Sequence, residues 1–211
     1  MRSPPQSGPG AGNRDEGGGA DRQERRTACR RRLRVAYQGA PGSFGHQAAL
    51  AFCRDCAAEA RETFEAVAAA VARGEAERGV LPVENSRAGT VAGVAEIIAE
   101  SGVRVLSEHD LPVRMHLLAL PGVSLEQVRS VVSHPVALKQ CAETLAALGL
   151  AGEAASNTAV AARALAARDQ AVLASEAAAA AYGLVILRRD LQDDPGNATR
   201  FAIIAAAGAV G

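Results

Sequence analysis

A short polar segment near the end of the chain combines a hydroxyl group with a permanent cation. Gln192 to Phe201 has the sequence QDDPGNATRF, a turn-forming cluster that places Asn197, Thr199 and Arg200 at the start of an apolar strand. A guanidinium binds carboxylates through paired hydrogen bonds, and a neighbouring hydroxyl can donate to a departing oxygen. The pair therefore suits a dicarboxylate that loses a hydroxyl group. The same residues would also fit a purely structural polar turn.

A glycine-rich loop near the start of the organised chain is suited to binding an anion. Residues 38–44 have the sequence QGAPGSF and join a predicted strand to a predicted helix, with Ser43 directly before the helix. Glycine lets the backbone approach a ligand closely, and the first N–H groups of a helix attract negative charge. The segment matches neither a P-loop nor the GxGxxG pattern of dinucleotide sites. An ordinary strand-to-helix turn stays open as the alternative.

Two further polar clusters stand where predicted strands end. Glu84, Asn85 and Ser86 supply a carboxylate, an amide and a hydroxyl that can orient a small polar ligand, and a solvated loop is the alternative. Ser133 and His134 precede a proline that suits the first helical position, so His134 could donate to a carboxylate or simply cap the helix. Ligands of parallel α/β sheets bind at the carboxyl ends of strands, which is where these clusters lie.

These clusters must be positioned by an alternation of strands and helices that begins at residue 33. Strands are predicted over residues 33–37, 79–83, 103–107, 111–120, 128–133, 171–174, 184–187 and 201–205. Helices are predicted over residues 44–53, 64–71, 91–100, 135–148, 159–167 and 176–182, with a capping box at 124–127 and with Thr63, Thr158 and Ser175 as caps. This alternation predicts an α/β fold with a largely parallel sheet.

The composition disfavours several classes of protein. The 211 residues carry 23 basic and 23 acidic side chains, and the resulting zero net charge disfavours a general role at nucleic acids or membrane surfaces. Seven arginines lie between Arg22 and Arg34, but they follow a segment rich in Gly and Pro that cannot form a core. Residues 1–32 are therefore predicted to be a disordered tail rather than a targeting peptide. No apolar run is long enough to cross a membrane.

Four cysteines are present, and their spacing gives no framework for disulfides or metal. Cys53 and Cys56 form a single C-x-x-C without the second pair that a zinc site needs, and Cys141 falls on an apolar helical stripe. We expect reduced thiols and a cytoplasmic location, and the spacing disfavours a metal or redox function for these cysteines.

Taken together, the polar clusters resemble the catalytic domain of prephenate dehydratases and arogenate dehydratases. YQGAPGSFGHQAA, LPVENSRAGTV, SHPVALKQC and DDPGNATRF occur in the order and at the spacing typical of that family, over residues 35–205. The resemblance implies a catalytic domain over residues 33–207, an α/β structure of two lobes similar to type II periplasmic binding proteins. The active site would lie in the cleft between a lobe of about residues 33–110 and 190–207 and a lobe of about residues 111–189.

The resemblance also implies roles for the polar residues. The catalytic residues would be Thr199 and Arg200. The substrate would be bound by Ser43, Asn85, Ser86, Ser133, His134 and Phe201. Two residues that do not touch the substrate, Glu84 and Asn197, would orient these side chains. Prephenate carries a ring carboxylate and a ring hydroxyl whose joint loss makes the ring aromatic, so no cofactor is needed. We expect Thr199 to polarise or protonate the departing hydroxyl while Arg200 and backbone N–H groups stabilise charge.

Several alternatives stay open after the resemblance is drawn. Family members usually carry a C-terminal ACT domain that binds phenylalanine, and the sequence ends at Gly211, so we expect no allosteric response to phenylalanine. A non-aromatising prephenate decarboxylase and a non-catalytic small-molecule binding protein are the competing functions. Thr199 favours the dehydratase, because those decarboxylases lack this threonine. A homodimer without nucleic-acid or membrane partners is expected, and the sequence does not distinguish prephenate from arogenate as substrate.

Overall fold

The computed structural model describes residues 31–155 and 158–208 and builds them into two β-sheets flanked by helices. The strands are β1 (Leu33–Gln38), β2 (Cys56–Arg61), β3 (Arg78–Asn85), β4 (Gly89–Thr90), β5 (Val103–Pro112), β6 (His116–Ala119), β7 (Ser130–Ser133), β8 (Ala151–Ala154), β9 (Gln170–Ala174), β10 (Val185–Arg188) and β11 (Ala198–Ala206). The helices are α1 (Phe44–Phe52), α2 (Phe64–Ala72), α3 (Val94–Glu100), α4 (Pro135–Gln140), α5 (Ala142–Ala147), α6 (Thr158–Ala164) and α7 (Glu176–Tyr182). The expected α/β fold is confirmed.

The first sheet contains the beginning and the end of the described chain. Its strand order is β2-β1-β3-β11-β5, and the short β4 pairs with the end of β3. β1 runs parallel to β2 and β3, whereas β11 lies antiparallel to both β3 and β5. Helix α2 buries Val67, Ala68 and Val71 against one face, and α1 buries Ala48 and Ala49 against the other. The last strand therefore lies inside the sheet, beside β3.

The second sheet has the strand order β10-β6-β9-β7-β8. β7 runs parallel to β8 and β9, and β6 lies antiparallel to β9 and β10. The chain passes to this sheet between β5 and β6 and returns to the first sheet between β10 and β11. The chain from Arg32 onward forms one compact unit. Two connections thus join the two halves of that unit.

Local sequence explains where several helices begin and end. The side chains of Thr63 and Ser175 accept backbone N–H groups in the first turns of α2 and α7, as their positions before apolar stripes predict. Gly183 ends α7 in the left-handed conformation, with φ of 65°. The capping box over residues 124–127 also forms as predicted, although the helix that it starts is a single 3-10 turn.

Several predicted elements were wrong. Residues 111–120 are not one strand, because β5 ends at Pro112 and residues 113–115 carry the chain to the second sheet before β6 begins. The helix predicted from Pro135 to residue 148 is interrupted at Cys141. The sheets are mixed rather than largely parallel, since β6, β10 and β11 run antiparallel to their neighbours. The strands β2 and β8 were missed because CAAEAR and AGEA lack the β-branched and aromatic residues typical of strands.

The sequence also predicted a disordered N-terminal tail and no membrane-spanning helix. Residues 1–30 of the predicted tail lie outside the described residues. Among the described residues, no helix is long and apolar enough to cross a membrane.

Candidate active site

Thr199 and Asn85 lie opposite each other on neighbouring strands of the first sheet. They are partners in the antiparallel pairing of β11 with β3. The Asn85 Nδ2 atom donates a hydrogen bond to Thr199 Oγ1 at 2.9 Å. A hydroxyl has one proton to donate and two lone pairs that accept. Because Asn85 occupies one of the acceptor positions, the proton of the Thr199 hydroxyl can be directed to a ligand.

Contacts at both ends of the Asn85 side chain fix the orientation of its amide. Its Oδ1 atom accepts the backbone N–H groups of residues 87–88, each at 3.0 Å. Its Nδ2 atom lies 3.0 Å from Asn197 Oδ1 and 3.1 Å from the Ala198 carbonyl oxygen, besides its contact with Thr199. The oxygen end faces donors and the nitrogen end faces acceptors, so a flipped amide would place like groups against each other. Asn85 is therefore a donor to Thr199.

A cavity of about 380 Å³ lies between the chain segments that build the two sheets. This volume falls within the range of small-molecule sites. Its wall is formed by Gly42, Ser43, Phe44, Asn85, Ala88, Val113, Met115, His134, Val136, Ala137, Gln140, Thr158, Ala159, Ser175, Asn197 and Thr199. None of these described wall residues is Lys, Arg, Asp or Glu. Five residues singled out from the sequence meet here: Ser43, Asn85, His134, Asn197 and Thr199.

Four helices begin at the wall of this cavity. Ser43, His134 and Ser175 precede α1, α4 and α7, and the side chain of each accepts a backbone N–H of the first turn at 3.2 Å. Thr158 is the first residue of α6. The N-terminal end of a helix carries partial positive charge. In a wall without charged carboxylates or cations, these ends favour an anionic ligand.

Ser133 and Ser86 were predicted to bind substrate but lie beside the cavity rather than on its wall. Ser133 is fully buried, and its Oγ donates to the Leu173 carbonyl oxygen at 2.9 Å and lies 3.2 Å from Thr158 Oγ1. The Ser86 Oγ accepts the backbone N–H of residue 198 at 3.0 Å and donates to the carbonyl of residue 196 at 3.4 Å. Both hydroxyls are therefore engaged with the protein, and they support residues of the wall.

Phe201 was also predicted to bind substrate, but it does not line this cavity. The residue is 2% exposed and belongs to the apolar cluster between the first sheet and α1. It borders a smaller pocket of about 250 Å³, which has Ser43 and Thr199 in its wall as well. Since Phe201 and Thr199 are two positions apart on β11, they point to the same face of the sheet.

The structure contradicts the prediction that Arg200 faces the substrate beside Thr199. Consecutive side chains of a strand point to opposite faces, so Arg200 extends from the other face of the first sheet. There its Nε donates to Asp110 Oδ1 at 2.9 Å, and its Nη1 lies 3.3 Å from Glu84 Oε2. Glu84 and Asp110 are the direct neighbours of Arg200 on β3 and β5. The hydrogen bond with Asp110 raises the pKa of Arg200. We call these three residues the ionic ladder.

Comparison with known proteins identifies the family. Residues 35–209 match the family model described as prephenate dehydratase. This chain belongs to the prephenate dehydratase family. The match includes every residue of the cavity wall and all of both sheets except the first two residues of β1.

Relatives of this family member include plant and bacterial proteins. Arogenate dehydratase/prephenate dehydratase 2 of Arabidopsis thaliana, a chloroplastic protein, is 43% identical over 177 residues, which cover 82% of this chain and 46% of the relative. The structure of GqqA, described as a novel type of quorum quenching acylase, is 34% identical with a TM-score of 0.77, and the match covers 84% of this chain and 65% of that one. Prephenate dehydratase from Arthrobacter aurescens, solved with L-Phe, is 26% identical with a TM-score of 0.73, covering 84% and 62%. The chain spans less than half the length of the curated relatives it matches.

In this prephenate dehydratase family member, a second cavity of about 510 Å³ adjoins the first. The two share five wall residues, among them Asn85 and Gln140. The wall of the second cavity also contains two basic and two acidic residues, Arg87, Lys139, Asp193 and Asp194. Arg87 forms an ion pair with Asp194, Lys139 is exposed, and Asp193 accepts the backbone N–H groups of residues 143–144. The charged side chains beside the uncharged first cavity therefore balance one another.

Three polar wall residues of this family member were not predicted as part of the site. Thr158 and Ser175 were predicted only as helix caps, although each lies at the start of a helix, where Ser43 and His134 also lie. That shared position was a usable signal, because caps of helices in one α/β sheet gather at one edge. Gln140 ends α4, and its local sequence carries no comparable signal.

Proposed function

We propose that this protein catalyses the decarboxylating dehydration of prephenate to phenylpyruvate, or of arogenate to phenylalanine, in phenylalanine biosynthesis. The observation that carries the proposal is the hydrogen bond from Asn85 to Thr199 in the wall of a cavity surrounded by helix N-termini. The oriented hydroxyl of Thr199 can donate a hydrogen bond to a leaving group, and the partial positive charge of the helix N-termini can bind carboxylates. Both features match the chemistry that the family name implies.

In this mechanism Thr199 acts on the departing ring hydroxyl. The bond between the ring and its carboxylate breaks, CO₂ leaves, and the electron pair of that bond enters the ring. The carbon–oxygen bond at the opposite ring position breaks, and the hydroxyl leaves with the electron pair of that bond. Thr199 donates its hydrogen bond to this oxygen and stabilises the negative charge that develops there. The bond from Asn85 polarises the threonine hydroxyl further, because hydrogen bonds in a chain strengthen one another.

Helix N-termini and His134 would hold the carboxylates of the substrate. The first residues of α1 have backbone N–H groups without a partner inside the helix, and Ser43 and Phe44 both line the cavity. His134 accepts the N–H of Val136 with Nδ1, so the neutral ring carries its proton on Nε2 and can donate it to a carboxylate. Gln140, in the wall of both cavities, adds an amide donor. Binding at these points would orient the ring toward Thr199.

The residues behind the wall take supporting roles in this proposal. Ser133 and Asn197 would hold Thr158 and Asn85 in place through their hydrogen bonds. Arg200, with Glu84, would fix the alignment of β11 on β3 rather than touch the substrate. Phe201 would support Thr199 from the core side of the strand.

We further propose that the protein works as a homodimer in the cytoplasm, without nucleic-acid or membrane partners. Cys53, Cys56 and Cys141 are all free thiols, which suits a reducing compartment. The chloroplastic location of its plant relatives belongs to those proteins. Sedimentation equilibrium of the purified chain tests the dimer, and a monomer at micromolar concentration would contradict it.

The decisive experiment is to incubate the purified protein with prephenate and measure phenylpyruvate, then with arogenate and measure phenylalanine. Thr199→Val keeps the size of the side chain and removes the hydroxyl, so we expect kcat to fall by about 10²–10³-fold. Thr90→Val, at an exposed threonine outside the cavity wall, is the matched control and should keep full activity. Release of CO₂ without an aromatic product would favour the decarboxylase alternative. Binding without turnover would favour the binding-protein alternative.

A further inference from the structure

A loop of the first half of the molecule is hydrogen-bonded to a helix of the second half at the edge of the cavity. The Oγ atom of Ser175, which caps α7, donates to the carbonyl oxygen of Gly42 at 2.6 Å. Ser175 is 1% exposed and lines the cavity, as does Gly42. Gly42 belongs to the loop between β1 and α1, whereas α7 packs on the second sheet. This buried hydrogen bond therefore crosses from one half to the other.

The last residue of α7 makes a second bond to the same loop. Tyr182 Oη donates to the carbonyl oxygen of Pro41 at 2.6 Å. Ser175 and Tyr182 are seven positions apart, about two helical turns, so they project from the same side of α7. One side of this helix thus holds two consecutive carbonyl groups. We call the two hydrogen bonds together the clasp.

The backbone of Gly42 packs directly against the backbone of α7. Gly42 has a φ of 84°, and a Cβ atom added to it would lie 2.6 Å from the Cα atom of Ala178. Such a contact is shorter than any that real side chains make, so only glycine fits there. Ala178 is fully buried. The loop and α7 are consequently in direct backbone contact, with no side chain between them.

We propose that Ser175 and Tyr182 are positioning residues for the proposed reaction and keep the cavity at its working width before substrate arrives. The inference rests on the proposed function for its activity readout. By holding Gly42, the clasp holds Ser43 and the N-terminus of α1, which share the cavity wall with Thr158 and the N-terminus of α6. Substrate carboxylates need both walls at a fixed spacing. Without the clasp, a fraction of the molecules adopts a wider cavity that does not bind substrate. The apparent Kd then equals the intrinsic Kd divided by the fraction of molecules that stays competent.

The kinetic signature of this role is a change in KM with little change in kcat. For Ser175→Ala and for Tyr182→Phe we expect KM to rise by about two- to tenfold, the effect of losing one hydrogen bond. Bound substrate draws the walls together again, so kcat should change by less than about twofold. Both variants together should raise KM more than either alone. A KM within error of the unchanged protein for both single variants would overturn the proposal.

Control variants distinguish the effect of losing the clasp from the effect of losing a helix cap and from the backbone strain of replacing a glycine. Thr63→Ala removes the cap of α2, which accepts the N–H of Ala66 at 3.2 Å and lies outside the cavity wall. It should leave KM unchanged, and a rise equal to that of Ser175→Ala would overturn the proposal. Gly42→Ala should raise KM most, because its Cβ forces the walls apart. Gly74→Ala has a similar φ of 72° with no atom within 4 Å of the added Cβ, and it measures the cost of strain alone.

Amide hydrogen exchange without substrate tests the clasp independently of catalysis. We expect exchange over residues 39–43 to accelerate in Ser175→Ala and Tyr182→Phe, and to stay unchanged in Thr63→Ala. Unchanged exchange in both clasp variants would overturn the proposal. If the unchanged protein converts neither prephenate nor arogenate, the proposed function fails, while the exchange result still decides whether the clasp holds the loop.

Discussion

The hydroxyl oxygen of Thr199 lies 2.9 Å from the amide nitrogen of Asn85, although 114 positions separate the two residues in the chain. The pairing of β11 with β3 produces this contact. It converts a threonine, whose free hydroxyl is a very weak acid, into an oriented donor.

Asn85→Asp should reverse the direction of the hydrogen bond to Thr199. The aspartate retains acceptors for the N–H groups of residues 87–88, but its second oxygen accepts the threonine proton instead of donating to the hydroxyl. We expect kcat at neutral pH to fall by about 10²-fold, the cost of losing one oriented donor. Activity should recover partly in mild acid, because the acceptor oxygens of Asn197 and Ala198 beside the new carboxyl favour its protonated form. Saturating kcat measured from pH 4.5 to 8 checks this, and a profile parallel to that of the unchanged protein would contradict it.

Arg200→Gln should leave most of the catalytic activity in place. The substitution removes the ion pairs of the ionic ladder but leaves Thr199 and the cavity wall in place. Because the cavity wall stays in place, we expect kcat to fall by less than about tenfold. Exposed ion pairs contribute little to stability, so the thermal midpoint should fall only slightly, and mainly at low salt. Arg73→Gln, which breaks an exposed pair with Glu75 outside the cavity wall, is the control. A loss of kcat as large as that of Thr199→Val would return Arg200 to a catalytic role.

Stability should fall in mild acid because His116 is buried in its neutral form. His116 is 3% exposed, and its Nδ1 accepts the N–H of Asp190 at 3.1 Å. Burial lowers its pKa from 6.5, and the nearby Asp190 and Glu176 carboxylates oppose this only in part. Below pH 6.5 the unfolded chain binds protons that the folded chain does not. The free energy of unfolding is therefore at its full value above pH 6.5 and decreases as pH falls through the lowered pKa.

Urea unfolding between pH 5 and pH 7.5 measures this dependence. His116→Gln keeps a side-chain acceptor for Asp190 and should flatten the curve. His46, whose pKa is also lowered by burial, adds to the slope in the same direction. A curve for His116→Gln as steep as that of the unchanged protein would contradict the prediction.

The thiols of Cys53 and Cys141 should resist alkylation in the folded protein. Burial raises the pKa of Cys53 to about 11 and that of Cys141 to about 12. At pH 8 the reactive thiolate is then only about 10⁻³ of Cys53 and less of Cys141. Iodoacetamide labelling followed by peptide mass mapping should show both sites reacting at least about 100-fold faster in denaturant. Equal rates in the folded and unfolded protein would show that these thiols are accessible.

Local patterns predicted the parts of the fold that depend on neighbours in sequence. Thr63, Ser175 and Gly183 were identified as helix ends, because a cap needs only a side chain or a left-handed residue next to its own helix. The strands β2 and β8 could not be found in this way. Their alanine-rich sequences form strands because β1 and β7 lie beside them.

The sequence by itself determined the family, the α/β class and the identity of the polar residues at strand ends, since these follow from residue types at fixed spacing. Only the tertiary structure decided which of them meet. Strand alternation placed Thr199 toward the cavity and Arg200 away from it, and the antiparallel insertion of β11 supplied Asn85 as the partner of Thr199. The face of a strand that meets a cavity depends on the neighbouring strands and on the second sheet. No local pattern in the sequence specifies that choice.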